Sequence, residues 1–156
     1  MWSRRSSGCT NERCVALLLK GQGRLDEARP LYEEALAGSR AALGEAHPDT
    51  LTSINNLGGL LQAQGRLDEA RPLFEQALAG RRAALGDAHP DTLTSINNLG
   101  TLLRDAGQLD EARVLFEEAL AGKRATLGEA HPDALRSMGS LGLLNQIGRA
   151  SCRERV

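Results

Sequence analysis

The sequence has few of the residues that fill β-strands. Only 3% of its 156 residues are aromatic, and Leu, Ala, Glu and Arg dominate its composition. Those four residue types favour helices, whereas aromatic and β-branched side chains favour strands. The composition therefore predicts an all-α protein.

A large net charge and long apolar runs are also absent. The 19 basic and 20 acidic residues give a formal net charge of −1, which creates no long-range field for recruiting nucleic acid or an anionic membrane. The longest apolar runs, such as residues 14–19, are too short to span a bilayer, and no apolar segment with a cleavage site lies at the start. We expect a cytoplasmic protein that binds no nucleic acid and does not insert into a membrane.

Residue patterns for catalysis or metal binding are missing too. Cys9, Cys14 and Cys152 form no Cys-x-x-Cys pair, so neither a disulfide framework nor a zinc knuckle is indicated. No serine or cysteine lies in a nucleophile motif, and no glycine pattern suits a phosphate-binding turn. The sequence predicts a protein without enzymatic activity, metal or cofactor.

The sequence does contain a repeated segment. GRLDEAR begins at Gly23 and again at Gly65, and GQLDEAR begins at Gly107, so that each copy starts 42 residues after the last. Residues 45–86 and 87–128 match at 32 of 42 positions without a gap. A fixed period of this size is typical of a stacked array, in which each unit needs its neighbours to complete its core.

Apolar residues at helical spacing predict two helices in each unit. In residues 45–86 the apolar face of the first helix, helix A, is formed by Leu51, Ile54, Leu57, Gly58 and Leu61. A short turn at Gly65 and Arg66 separates helix A from the second helix, helix B. The buried stripe of helix B is formed by Leu67, Ala70, Phe74, Ala77, Leu78 and Arg81.

All three histidines, His47, His89 and His131, lie in Ala-His-Pro-Asp segments that precede a helix A. Pro48 suits the first helical position, and Asp49 favours the positive end of the helix dipole. The histidines occupy equivalent places in successive repeats and are therefore expected to lie far apart. All ligands of a single zinc ion, by contrast, lie about 2 Å from the metal. We therefore expect the histidines to start helices rather than to hold a metal.

This layout resembles the tetratricopeptide repeat (TPR), whose signature positions are occupied here by Leu57, Gly58, Leu61, Gly65, Leu67, Ala70, Phe74 and Ala77. The segments HPDTLTSINNL and LDEARPLFEQAL are similar to the 42-residue variety found in kinesin light chains, and the resemblance covers residues 10–146. It implies a TPR solenoid, a right-handed superhelical stack of antiparallel helix pairs that acts as a protein–protein interaction scaffold. It further implies a cargo-adaptor fragment whose partner kinesin heavy chain binds through regions outside this sequence.

The repeat register divides the chain into units. Residues 1–8 are unassigned and are treated as candidate foreign sequence; residues 9–44 form a degenerate first unit, 45–86 the second, 87–128 the third, and 129–146 a truncated fourth helix A. The final segment, IGRASCRERV, leaves the register, and one of its back-translations is a widely used short-read sequencing adapter. We therefore expect residues 147–156 to be adapter-derived and the natural protein to continue past Gln146.

The second face of helix A is the candidate binding site, because in TPR arrays that face lines a concave groove for extended or helical peptides. The groove positions are Arg13, Lys20, Thr52, Asn55, Gln62, Thr94, Asn97, Thr101, Arg104, Asp105 and Arg136, with Asn56 and Asn98 as secondary positions. Three of the ten differences between the two best-matched units lie on this face, at Gly59/Thr101, Gln62/Arg104 and Ala63/Asp105. Drift on any exposed surface would give the same pattern.

The asparagines and the charged residues of the groove together predict the kind of ligand. An amide side chain donates and accepts at once, as clamping a peptide backbone requires, although a helix-to-helix hydrogen bond would also explain Asn55 and Asn97. The basic groove positions are Arg13, Lys20, Arg104 and Arg136, and the acidic one is Asp105. The groove is therefore predicted to be locally positive and to favour a short acidic peptide.

Two further function classes fit the same repeats. The chain could be a structural or sensor arm of a larger regulatory protein of the NTPase type, using its ends or its convex face instead of the groove. An enzyme attached beyond the fragment is the third class. In the full-length protein, an N-terminal heptad coiled coil would favour the kinesin adaptor, and a P-loop domain would favour the regulatory arm.

Overall fold

Seven α-helices make up the part of the chain that the computed structural model describes, which is residues 11–153 for the backbone and 14–147 for the side chains. The helices are α1 (Asn11–Gly21), α2 (Leu25–Leu43), α3 (Pro48–Ala63), α4 (Leu67–Leu85), α5 (Pro90–Asp105), α6 (Leu109–Leu127) and α7 (Pro132–Arg153). Helix A of successive units is α1, α3, α5 and α7, and helix B is α2, α4 and α6. Each helix packs mainly against the one before and the one after it, which confirms the all-α stack of antiparallel pairs.

The predicted helix starts are confirmed. Pro48 is the first residue of α3, and its equivalents open α5 and α7, where the missing N–H has no helical partner to lose. The histidine before each proline caps the helix. Nδ1 of His47 accepts a hydrogen bond from the Asp49 N–H at 3.1 Å, and His89 and His131 make the same bond at 3.2 Å.

Glycine shapes both turns of each unit. Gly65, between α3 and α4, has φ of 76°, and Gly86, between α4 and α5, has φ of 85°. Only glycine adopts this left-handed region without steric cost. The same two turns recur in the first and third units, at Gly23 and Gly44 and at Gly107 and Gly128, so the chain turns in the same way after each helix.

The core is the seam between helices A and B. Leu51 and Ile54 of α3 are buried against α4, as are their equivalents in α5 against α6. Small residues bring the two backbones together: a Cβ on Gly58 would lie 3.3 Å from the Phe74 ring, and Ala70 is fully buried. The predicted apolar faces of both helices are therefore confirmed.

The first unit departs from the others at its start. Its helix A was predicted from Cys9, which lies outside the described residues, and α1 begins at Asn11. Val15 is exposed, although its equivalent Leu57 lines the α2–α3 seam beside Leu36. No described helix precedes α1, so Val15 lacks the contact with a preceding helix B that Leu57 makes with α2.

The fourth unit contains α7 alone. This helix runs without interruption through Ile147 to Arg153, whereas α3 and α5 end after 16 residues. A continuous helix does not bear on the origin of residues 147–156. Three points stay predictions: the adapter origin of residues 147–156, the boundaries of the units, and the foreign origin of residues 1–8. Residues 1–8 lie outside the described residues.

Candidate peptide-binding groove

Two hydrogen bonds tie the predicted groove positions of α3 to those of α5. Asn98 Nδ2 donates to Asn55 Oδ1 at 3.1 Å, and Gln62 Nε2 donates to Asp105 Oδ2 at 2.7 Å. Helices α3 and α5 also contact each other directly, as do α5 and α7. The A helices therefore form one continuous surface along the array.

The two groove asparagines use their amide oxygens within the protein. Asn55 accepts from Asn98, and Asn97 Oδ1 accepts from Ser137 Oγ of α7 at 3.4 Å. The helix-to-helix hydrogen bond that the sequence left open is thus present for both. Among the described contacts, the NH2 group of neither asparagine donates a hydrogen bond. Two NH2 groups consequently remain as donors at equivalent positions of adjacent units, and half-buried Asn56 lies beside the first.

The groove threonines are bonded to their own helices. Thr52 and Thr94 each donate to a proline carbonyl four residues earlier at 2.9 Å, and Thr101 donates to the Asn97 carbonyl at 2.9 Å. Such bonds fix the hydroxyl rotor and leave its oxygen as an acceptor. Only Thr52 uses that acceptor among the described contacts.

Charge in the groove is less one-sided than the sequence suggests. Arg104 pairs with Asp105 at 2.8 Å, and Nη1 of the mostly exposed Arg136 lies 3.7 Å from an Asp133 oxygen. The side chain of Arg13 lies outside the described residues. Lys20 carries no carboxylate partner among the described side chains, and burial lowers its pKa.

Lys20 also joins the first unit to the second. Its Nζ lies so close to Gly59 that a Cβ there would be 3.1 Å away. The glycine at this groove position therefore makes room for the ammonium group of the preceding unit. In the next unit Thr101 stands at the same position.

A buried cation beneath the groove was not anticipated as part of the site. Arg81 of α4 is only 7% exposed, and its guanidinium reaches across to α3 and α5. Nη2 donates to Thr52 Oγ1 at 3.1 Å, and Nη1 donates to Ser95 Oγ at 2.7 Å and to the Asp91 carbonyl at 3.1 Å. Burial lowers the pKa of Arg81, and the nearby Asp91 opposes that shift.

The same position of the next unit holds a second buried cation. Lys123 of α6 is 5% exposed and donates to Ser137 Oγ at 3.0 Å. Its pKa is lowered, mainly by burial and also by Arg136, while Asp133 acts in the opposite direction. Neither cation forms an ion pair with a described carboxylate. The sequence signal that could have revealed them is a polar residue on the otherwise apolar stripe of helix B. In successive units this residue is Ser39, Arg81 and Lys123.

On the convex side, two arginines of α4 pair with carboxylates. Arg71 of α4 contacts Glu75 at 2.8 Å, and it also reaches α6, where it lies 3.7 Å from Glu111. Arg82 pairs with Asp87 at 3.0 Å and with Glu118 of α6. The contacts to Glu111 and Glu118 link the adjacent helices α4 and α6.

Three overlapping stretches, residues 6–83, 53–125 and 94–151, match the family model described as tetratricopeptide repeat. The chain belongs to the tetratricopeptide repeat family. Its fold is the right-handed superhelical TPR solenoid, and its repeats form a scaffold for protein–protein interaction. None of the helices in the described residues of this TPR protein combines the length and apolar character of a transmembrane segment.

Solved structures similar to this TPR protein include kinesin light chain-like proteins. The nearly identical TPR-like repeats of one from Podosopora anserina superpose with a TM-score of 0.80 at 32% identity, covering 86% of this chain and 64% of that one. A point variant of the same repeats gives 0.79 at 31%, covering 85% and 63%. BtubC (BKLC) from P. vanneervenii gives 0.77 at 26%, covering 90% and 58%. The chain thus spans less than two-thirds of each, and no curated protein matches it.

Proposed function

We propose that this chain is a non-catalytic scaffold that binds a short acidic peptide segment of another protein in its concave groove. The observation that carries the proposal is the pair of amide NH2 groups on Asn55 and Asn97, which have no acceptor among the described residues. An extended peptide offers carbonyl oxygens at regular intervals. Donors in adjacent units can therefore hold a backbone in a fixed register.

Cations near the asparagines favour an acidic ligand. Lys20 lies in the groove without a described carboxylate partner, and Arg81 and Lys123 lie buried beneath it. A buried charge is poorly screened by salt, so these two side chains raise the potential of the groove floor. Groove residues Arg104 and Arg136 have a carboxylate nearby and contribute less.

The likeness to kinesin light chain-like repeats supports a cargo-adaptor role. In that role kinesin heavy chain would bind through regions outside these 156 residues. The regulatory-arm alternative needs a binding surface on the convex face or the ends. On the convex face Arg71 and Arg82 are paired with carboxylates, whereas in the groove the NH2 groups of Asn55 and Asn97 have no described acceptor, which favours the groove.

A peptide-library screen on the full chain tests the groove. We expect enrichment of acidic peptides, with binding that weakens as salt rises, because exposed charges are screened within about 8 Å at physiological ionic strength. Asn97→Ala should weaken every ligand, since it removes a backbone donor. Arg104→Glu should selectively reject acidic peptides through repulsion, because it leaves two carboxylates at positions 104 and 105.

The matched control is Arg113→Glu, which makes the same charge change on an exposed residue of α6. Arg113 lies on helix B, away from the groove, so this variant should bind acidic peptides as the unmodified chain does. Enrichment of basic peptides would contradict the proposal. Binding that is indifferent to both groove substitutions would also contradict it and would favour the regulatory-arm alternative.

A further inference from the structure

Helices α3 and α5 are joined near their ends by a hydrogen bond that has no counterpart between α1 and α3. At the junction of units 2 and 3, Gln62 Nε2 of α3 donates to Asp105 Oδ2 of α5 at 2.7 Å. At the junction of units 1 and 2, one repeat earlier, the equivalent residues are Lys20 and Ala63. A methyl group accepts no hydrogen bond, so the contact of the later junction cannot form at the earlier one.

The ammonium group of Lys20 lies at this earlier junction without an acceptor. It is placed over α3, where a Cβ added to Gly59 would be 3.1 Å from Nζ. Lys20 is half-buried, and among the described residues its side chain has neither a hydrogen bond nor an ion pair. Burial without a partner disfavours the charged form and lowers the pKa of Lys20. An anion bound here would replace the hydration that the ammonium group has lost.

The later junction shows which group fits the earlier one. Amide and ammonium N–H groups both donate, and a carboxylate accepts from either. Asp105 supplies a carboxylate to Gln62 from within the chain, whereas exposed Ala63 supplies none to Lys20. A hydrogen bond between an ammonium group and a carboxylate is roughly twice as strong as a bond between neutral groups. A carboxylate from outside the chain would therefore bind well at Lys20.

The earlier junction lies next to a groove asparagine. Gly59 follows Asn55 by four residues in α3, which places the two one helical turn, about 6 Å, apart on the same face. The NH2 group of Asn55 has no described acceptor. A peptide whose backbone is held by Asn55 can thus direct an acidic side chain to Lys20. Arg104 competes less well for that side chain, because Asp105 already pairs with it at 2.8 Å.

We propose that Lys20, Gly59 and Ala63 form a subsite for the carboxylate of one aspartate or glutamate of the bound peptide. The ligand carboxylate takes the place at this junction that the Asp105 carboxylate takes at the next one. The subsite rests on the proposed function, because it needs a peptide in the groove, and it adds where the acidic residue of that peptide lies. Neutral Gln62, at the equivalent position of α3, is expected to select an acidic residue less strongly.

A positional library of capped peptides, screened against the full chain and its variants, tests the subsite. The unmodified chain is expected to enrich Asp or Glu at one fixed position of the bound peptides. Lys20→Gln keeps a donor but removes the charge, and Ala63→Asp supplies a competing carboxylate from the chain itself. Both should reduce the preference for an acid at that position about tenfold. Arg113→Gln is the control, because it removes one positive charge from an exposed residue of α6 and should leave the preference unchanged.

A second measurement needs no peptide. The sequence contains two lysines, so NMR of the lysine side chains follows Lys20 with Lys123 as an internal reference. In Ala63→Asp the new carboxylate should raise the pKa of Lys20, since a nearby opposite charge favours the ammonium form, and the pKa of Lys123 should stay the same. This variant should fold, because Asp105 occupies the same position in α5. An unchanged Lys20 pKa would overturn the proposal, as the ammonium group would then not reach a carboxylate at this junction.

The outcomes of the screen separate the subsite from the proposed function. The same acidic preference in the unmodified chain and in Lys20→Gln would overturn the subsite and leave the groove as the binding site. Equal loss of acidic and neutral peptides in Lys20→Gln would also overturn it, because Lys20 would then support the fold instead of binding the acid. Failure of the unmodified chain to enrich any peptide would contradict the proposed function, and the subsite with it.

Discussion

At the scale of single residues, small side chains decide how closely helices A and B approach. Ala70 and Ala112 are fully buried at the seam, and Gly58 lies directly beneath the Phe74 ring. A larger side chain at any of these positions has no free volume to occupy. The backbones would have to separate, which would disturb every contact along the seam.

Ala70→Leu is therefore expected to lower the free energy of unfolding by about 1–3 kcal/mol. Urea titration followed by helical circular dichroism measures the change. Ala79→Leu provides the control, because Ala79 is exposed on the same helix and the substitution should alter stability little. Equal stabilities for the two variants would mean that the buried face of α4 is wrongly assigned.

At the scale of helices, the sequence predicted the elements better than the contacts between them. The glycine turns, the proline starts and the two apolar stripes follow from local chemistry, and the structure confirms all of them. The bond from Asn98 to Asn55 and the position of Arg81 between three helices depend on side-chain rotamers across units. Helical spacing carries no information about those rotamers. The sequence therefore left the asparagine bond open, and it placed Arg81 on the buried stripe of helix B without indicating its partners in α3 and α5.

The α6–α7 seam contains a buried lysine, which makes its stability depend on pH. Burial lowers the pKa of Lys123 from the ordinary value of 10.5, so above the folded pKa the unfolded chain holds more protons at this site than the folded chain. Stability must then rise as the pH increases toward the unfolded value. We predict that unmodified protein gains stability relative to Lys123→Met between neutral pH and about pH 10.

Arg81→Met is the comparison for that experiment. Arg81 lies at the equivalent seam position, but a guanidinium does not titrate in this pH range. Its substitution should change stability by the same amount at each pH. Denaturant unfolding at a series of pH values separates the two cases. A stability difference between unmodified protein and Lys123→Met that stays constant with pH would show that Lys123 is solvated in the folded chain.

At the scale of the whole molecule, stability is shared between neighbours, because contacts are concentrated between helices adjacent in sequence. Deleting residues 87–128 removes one unit and joins Gly86 to Glu129, which recreates the Gly-acid-Ala-His-Pro junction that follows α4 in the intact chain. Helix α7 would then pack on α4, and Arg81 could donate to Ser137, the equivalent of its present acceptor Ser95.

The shortened chain is expected to fold with a similar helical content per residue and to melt at a lower temperature. Each unit in a linear array is stabilised by its interfaces, and the deletion removes one unit together with one interface between units. Thermal melts of both proteins by circular dichroism, at matched concentration and salt, measure the shift. A loss of helical folding would mean that units 2 and 3 are not interchangeable at the junction. An unchanged midpoint would contradict nearest-neighbour stacking, since stability would then reside in each helix pair alone.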